Sequence, residues 1–184
     1  MSDQLRFLTG LFTRPKITGA VSPSSRGLAR AMAREVPASG DGLVLELGPG
    51  TGPVTRALIE RGVPAARIVA VEFNPDFCTL LSQRFPELEL IEGDAYDLDK
   101  TLPAKLSGPF AAIVSSLPLL NREPAARIAL VQSLIGRLAP GGGLIQFSYG
   151  PKPPVAASQG FTVKRTAFVP FNLPPAQVWL YRAA

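Results

Sequence analysis

From residue 43 onward the chain alternates short apolar runs with amphipathic stretches of helical length, and this alternation leaves few folds open. Segments 43–47, 67–71, 88–91, 111–115 and 144–149 read as strands. Between them, 53–61 is a helix closed by Gly62, and 74–85 opens on Asn74-Pro75, a capping residue followed by proline at the first helical position. Segment 124–138 carries Ile128, Val131, Ile135 and Leu138 on one side. "APGGG" reads as the turn into the strand that follows. Strands joined by helices of this length require right-handed crossovers and a parallel sheet covered on both faces. Segments 161–169 and 177–182 differ. With a proline-rich loop between them they predict a terminal antiparallel hairpin, giving seven strands in a Rossmann-like α/β fold. Upstream, a helix is expected from Ser22-Pro23 to Pro37, with Leu28, Met32 and Val36 on one face.

Residues 2–13 form an amphipathic pattern of their own, with Leu5, Phe7, Leu8, Leu11 and Phe12 on one broad arc. The basic residues Arg14 and Lys16 follow this patch rather than precede it, so a signal peptide is not expected. No apolar run reaches the ~20 residues of a membrane span; the best, 110–120, is interrupted by Ser115, Ser116 and Pro118. The division expected is a membrane-binding helix over 1–20 and one catalytic domain over 21–184. A formal charge of +5 favours anionic partners. The lone cysteine, Cys78, excludes an internal disulfide and suits a reducing cytoplasm. The chain has no histidine, so imidazole bases, histidine metal sites and histidine triads are excluded.

"VLELGPGTGPV", Val44 to Val54, stands where an open parallel sheet binds its ligand, at the carboxyl end of its first strand. Gly48, Pro49, Gly50, Thr51 and Gly52 form the loop. The third glycine of a dinucleotide fingerprint would fall at residue 53, which is proline, and the lysine of a P-loop is missing. Glu46, inside the strand, would repel a pyrophosphate but suits a cation such as an ammonium group. Glu72 ends the second strand, where an acid commonly takes ribose hydroxyls, and Asp94, beside Ala95, follows the third. The ligand implied carries a nucleoside and a positive charge.

The motifs "ELGPGTG", "VEFNP", "GDAYD" and "SSLPLL" resemble those of class I S-adenosylmethionine-dependent methyltransferases, and most closely the bacterial phospholipid N-methyltransferases. The segments "RPKITGAVSPSS" and "LIQFSYGP" extend the likeness over nearly the whole chain. The resemblance implies S-adenosylmethionine as cofactor and S-adenosylhomocysteine as product, with Glu46 and the loop on the cofactor, Glu72 on its ribose, Phe73 on the adenine face and Asp94 with Ala95 on the adenine. It implies successive methylation of phosphatidylethanolamine towards phosphatidylcholine, by a monomer bound peripherally to the inner face of the cytoplasmic membrane, with no nucleic acid partner. "SSLPLL" stands where related amino-methyltransferases carry an Asn/Asp-Pro-Pro-Tyr or Asn-Leu-Pro-Tyr motif. Ser115 replaces the amide and Leu119 the aromatic, and the carbonyl of Leu117, preceding proline, is expected to hold the target nitrogen. That departure favours an aliphatic amine over a stacked base. Ser115, Tyr96 and Tyr149 are the residues expected to pass the proton to water, and Tyr96, Phe147 and Tyr149 to face methylated cations. Arg14, Lys16, Arg122, Lys152, Lys164 and Arg165 are candidates for a headgroup phosphate. The alternative function is an RNA adenine N6-methyltransferase of the dimethylating kind.

Overall fold

The computed structural model describes residues 25–184. The expected helix over 2–13, Arg14, Lys16 and the expected helix start at Ser22-Pro23 lie outside the described residues. Helix α1 (Arg26–Ala33) starts from Ser25, whose hydroxyl accepts from the Leu28 N–H at 3.2 Å. It ends four residues before Pro37, and irregular turns then bury Val36.

Strand β1 (Val44–Leu47) leads through the glycine loop into α2 (Pro53–Glu60); β2 (Ile68–Glu72) leads into α3 (Pro75–Arg84), then β3 (Glu89–Glu92) and the single turn α4 (Leu98–Thr101). Asn74 accepts from the N–H groups of Asp76 and Phe77, the cap that its place before Pro75 predicts. Strand β4 (Phe110–Ser115) is followed by α5 (Pro124–Gly136), β5 (Leu138–Ser148), β6 (Phe161–Val169) and β7 (Ala176–Ala183). Two expectations are corrected. The run "APGGG" is part of β5, because Leu138 already pairs with Phe110 and the register shifts before Gly143 meets Ala112. The buried stripe of α5 is Val131 and Leu134, while Ile128 stays 42% exposed.

The sheet order is β3-β2-β1-β4-β5-β7-β6. Strands β1 to β5 are parallel, and β7 enters antiparallel between β5 and β6. Alternation along the strands divides the core between two faces. Val44, Ala70, Val114 and Phe147 face α1 and α2. Leu45, Val71, Ile113, Leu144 and Tyr181 face the other way, towards α5. Burying side chains of this size is worth roughly 1.5–3 kcal/mol each, so the two layers together hold the sheet rigid. Strand order reverses at β1, whose chain neighbours β2 and β3 lie on one side and β4 and β5 on the other. The crevice at the carboxyl ends of β1 and β4 is therefore the binding position of the fold.

Candidate active site

The loop after β1 is built from backbone bonds that leave its upper surface clear. The Gly48 N–H donates to the Val71 carbonyl and the Gly52 N–H to that of Pro49, both at 2.9 Å. Gly50 and Gly52 both have left-handed backbone, at φ 58° and 80°, yet their surroundings differ. A Cβ on Gly52 would lie 2.7 Å from Phe85 Cε2 and 2.9 Å from Leu81 Cδ2, whereas one on Gly50 would meet nothing within 4 Å. Gly52 is thus required by packing, and Gly50 by backbone torsion beside open space.

Glu72 ties this loop to the next strand. Its carboxylate accepts from the Gly50 N–H and the Asn74 N–H, each at 2.9 Å. A carboxylate offers about four lone-pair sites, which leaves acceptor capacity for a ligand's hydroxyls. Phe73, the next residue, is 75% exposed, as a ring awaiting a flat partner would be. Asp94 accepts from the Tyr96 N–H at 2.8 Å and is exposed, with Ala95 buried beneath it.

Glu46 has no exposed surface. One carboxylate oxygen accepts from the Thr55 hydroxyl at 2.8 Å; the other, Oε1, is buried with no partner among the described residues. Burial is the main reason its pKa rises to about 7, opposed by the Thr55 bonds. A buried carboxylate with an open oxygen has a strong preference for a cation, which would restore its ionised form. Together with the glycine cradle and Glu72, this donor set fits an adenosyl amino acid: ammonium towards Glu46, ribose towards Glu72, adenine between Phe73 and Asp94.

On the acceptor side the structure separates residues that the sequence groups. Ser115 is wholly buried, and its hydroxyl accepts from the Leu117 N–H at 3.4 Å, closing the turn after β4. The Leu117 carbonyl is already engaged, accepting from Gln146 Nε2 at 3.1 Å. Sequence reasoning missed Gln146; its signal was an amide inside the apolar run "LIQFS". Tyr96 packs against the α5 face of the sheet and Tyr149 against the α1 and α2 face. Tyr96 also carries the Arg122 guanidinium over its ring, 4.3 Å from the centroid. That ring face therefore lies against a cation of the chain itself, at a residue, Arg122, that is exposed. Burial raises both phenols above their ordinary value, so neither is a ready base at neutral pH. Phe147 and Tyr149 meet edge to face at 5.4 Å.

Comparison with known proteins decides the family. Residues 44–142 match a family model described as a methyltransferase domain. The chain belongs to the methyltransferase-domain family. Its cofactor is S-adenosylmethionine, and the matched span includes the glycine loop, Glu72 and Asp94. Over 186 residues the methyltransferase is 32% identical to the ornithine lipid N-methyltransferase of Singulisphaera acidiphila, covering 99% of this chain and 97% of that one. It is 37% identical over 114 residues to the ribosomal RNA small subunit methyltransferase A of Synechococcus sp. strain JA-3-3Ab, covering 54% of this chain and 40% of that one. Among solved structures, the TehB-like S-adenosylmethionine-dependent methyltransferase of Corynebacterium glutamicum superposes with a TM-score of 0.60 at 15% identity, over 99% of this chain and 96% of that one. When bound, the cofactor supplies a methyl group already activated by its sulfonium charge. The protein is left to place the acceptor nitrogen in line and keep water away.

Proposed function

We propose that this methyltransferase N-methylates the primary amine of a membrane lipid, acting as a monomer at an anionic membrane surface. The observation that carries the reading is the full-length likeness to a lipid N-methyltransferase, taken with an acceptor loop, Ser115 to Leu120, that offers no aromatic ring. Phosphatidylethanolamine is the acceptor that the motif resemblance favours. An ornithine lipid is the acceptor that the relative favours. Both present an aliphatic ammonium group, which must lose its proton before it attacks; burial beside a sulfonium promotes that loss. The helix expected over residues 2–13 would hold the enzyme to the bilayer. Among the described residues no helix is long and apolar enough to cross a membrane.

RNA adenine methylation is the second reading, supported by the ribosomal RNA relative over about half of this chain. Against it stand Leu119 in place of a stacking aromatic and the shorter span of that match. Labelled cofactor offered with vesicles of phosphatidylethanolamine, with vesicles of ornithine lipid, or with small-subunit ribosomal RNA separates the readings. Label in lipid supports the proposal and names the acceptor; label confined to RNA overturns it.

A further inference from the structure

The antiparallel entry of β7 has a topological result at the carboxyl edge of the sheet. Gln177 pairs with Ser148 at the end of β5, and Ala176 with Val169 at the end of β6. The loop 170–175 therefore turns on the same rim as the glycine loop, Phe73 and the Ser115 to Leu120 segment. That loop is fixed in an unusual way. Asn172 is 2% exposed; it accepts from the Ser25 N–H at 3.0 Å and donates to the Pro174 carbonyl at 2.8 Å. Its neighbours on either side point outward, with Phe171 96% and Leu173 72% exposed. A polar side chain anchors the loop while two large apolar ones are displayed. Phe73, Leu120 and Phe168, also exposed, come from the same rim.

The charge around the loop is as one-sided. Ser25 caps α1, and from there a cleft of about 380 Å³ runs between α1 and α2, lined among the described residues by Arg26, Arg30, Arg56 and Arg84, with the acid Glu60 ion-paired to Arg30 at 3.6 Å. Arg84 reaches back to the Thr51 carbonyl at 2.9 Å, which brings it to the glycine loop. Of the rim acids, Glu72, Asp76 and Asp94 belong to the β2 and β3 connections, at the far end of the sheet from the hairpin, and Glu123 belongs to the β4 connection.

We infer that the β6–β7 loop is a membrane-insertion device: Phe171 and Leu173 enter the acyl boundary of an anionic bilayer while the α1–α2 arginines meet its headgroups. Rigid apolar tips beside clustered arginines match the two parts of such an interface, one apolar and one anionic. The placement turns the open rim of the methyltransferase towards the membrane. This rests on the lipid reading above only for its purpose; the docking itself is tested separately.

The test uses the full chain and vesicles of phosphatidylglycerol and phosphatidylcholine. In a Phe171→Trp variant, read against the buried Trp179, the introduced tryptophan should shift to the blue on vesicles and be quenched by brominated acyl chains. Phe171→Asp combined with Leu173→Asp should lower vesicle partitioning by about tenfold or more, leaving cofactor binding and methylation of a short-chain water-soluble aminolipid unchanged. Unaltered partitioning of that double variant overturns the proposal. So does emission that is already blue before lipid is added and does not move, which would mean the chain covers its own loop. A response to RNA and not to vesicles overturns it as well. Insertion without methylation of any lipid supports the docking and removes the lipid acceptor instead.

Discussion

At the scale of single residues, Glu46 and Glu72 show how two acids of the same site act differently. Glu72 is satisfied by two backbone N–H groups, so it shapes the loop even without ligand; Glu46 has one oxygen bonded and one waiting. The folded chain holds the Glu46 proton more tightly than the ordinary carboxyl value of 4.5, up to about 7. Its contribution to ligand-free stability is therefore fully present below pH ~4.5 and is lost as pH rises through about 7. Cofactor affinity has the opposite trend, since an ammonium group pairs with the ionised form. Calorimetry from pH 6 to 8 should show binding that tightens with pH, by up to about tenfold per unit below the pKa, with a heat that depends on the buffer because protons are released. Glu46→Gln should flatten that pH dependence and weaken binding. It should also raise the ligand-free melting midpoint at pH 8 by on the order of 5 °C, as an uncharged amide avoids a buried charge. A melting midpoint that falls would mean that Glu46 is stabilised by contacts of its own.

At the scale of elements, the glycine loop gives a contrast that thermal melting and ligand titration can separate. Gly52→Ala combines left-handed backbone with a Cβ against Leu81 and Phe85, and it should cost about 2–4 kcal/mol of stability. Gly50→Ala pays only the torsional part, about 1 kcal/mol, but projects a methyl into the open side of the cradle; cofactor affinity should fall further than stability. Equal loss of both quantities in both variants would show that the loop does not divide its work this way. Gln146→Leu should cost about 1–3 kcal/mol, since the carbonyls of Leu117 and Phe147 lose their donor, and turnover should fall more than cofactor affinity if the Leu117 turn positions the acceptor. The donor side was legible in sequence because it is local: strand, glycines and strand-end acids lie in consecutive residues. The acceptor side was not. The contact of Gln146 with Leu117 spans 29 positions, and the separation of Tyr96 from Tyr149 depends on which sheet face each strand end presents. The glycine run inside β5 was missed for a related reason, because a distant partner, β4, determines where that strand begins.

At the scale of the whole molecule, the order of alternating elements was enough to give the parallel sheet and its terminal hairpin, since the chirality of crossovers leaves little choice. It did not reveal that β7 separates β5 from β6. That strand buries Val178, Trp179, Leu180 and Tyr181, and Trp179 donates to the Ser148 hydroxyl at 2.9 Å. A chain cut after Gly150 would leave β5 as an apolar open edge; it should lose its cooperative thermal transition and aggregate, as circular dichroism and light scattering would report. The reversed strand has another outcome. Apart from the connection from β5 to β6, the other loops on the rim open strand-to-helix crossovers, so changing their length moves a helix. The hairpin turn leads into no helix, and Asn172 ties it to the start of α1. Turns that keep Asn172 can thus replace residues 170–175, and an engineer, or natural drift, could redirect the enzyme to a different surface while the methyl-donor half of the site stays as it is.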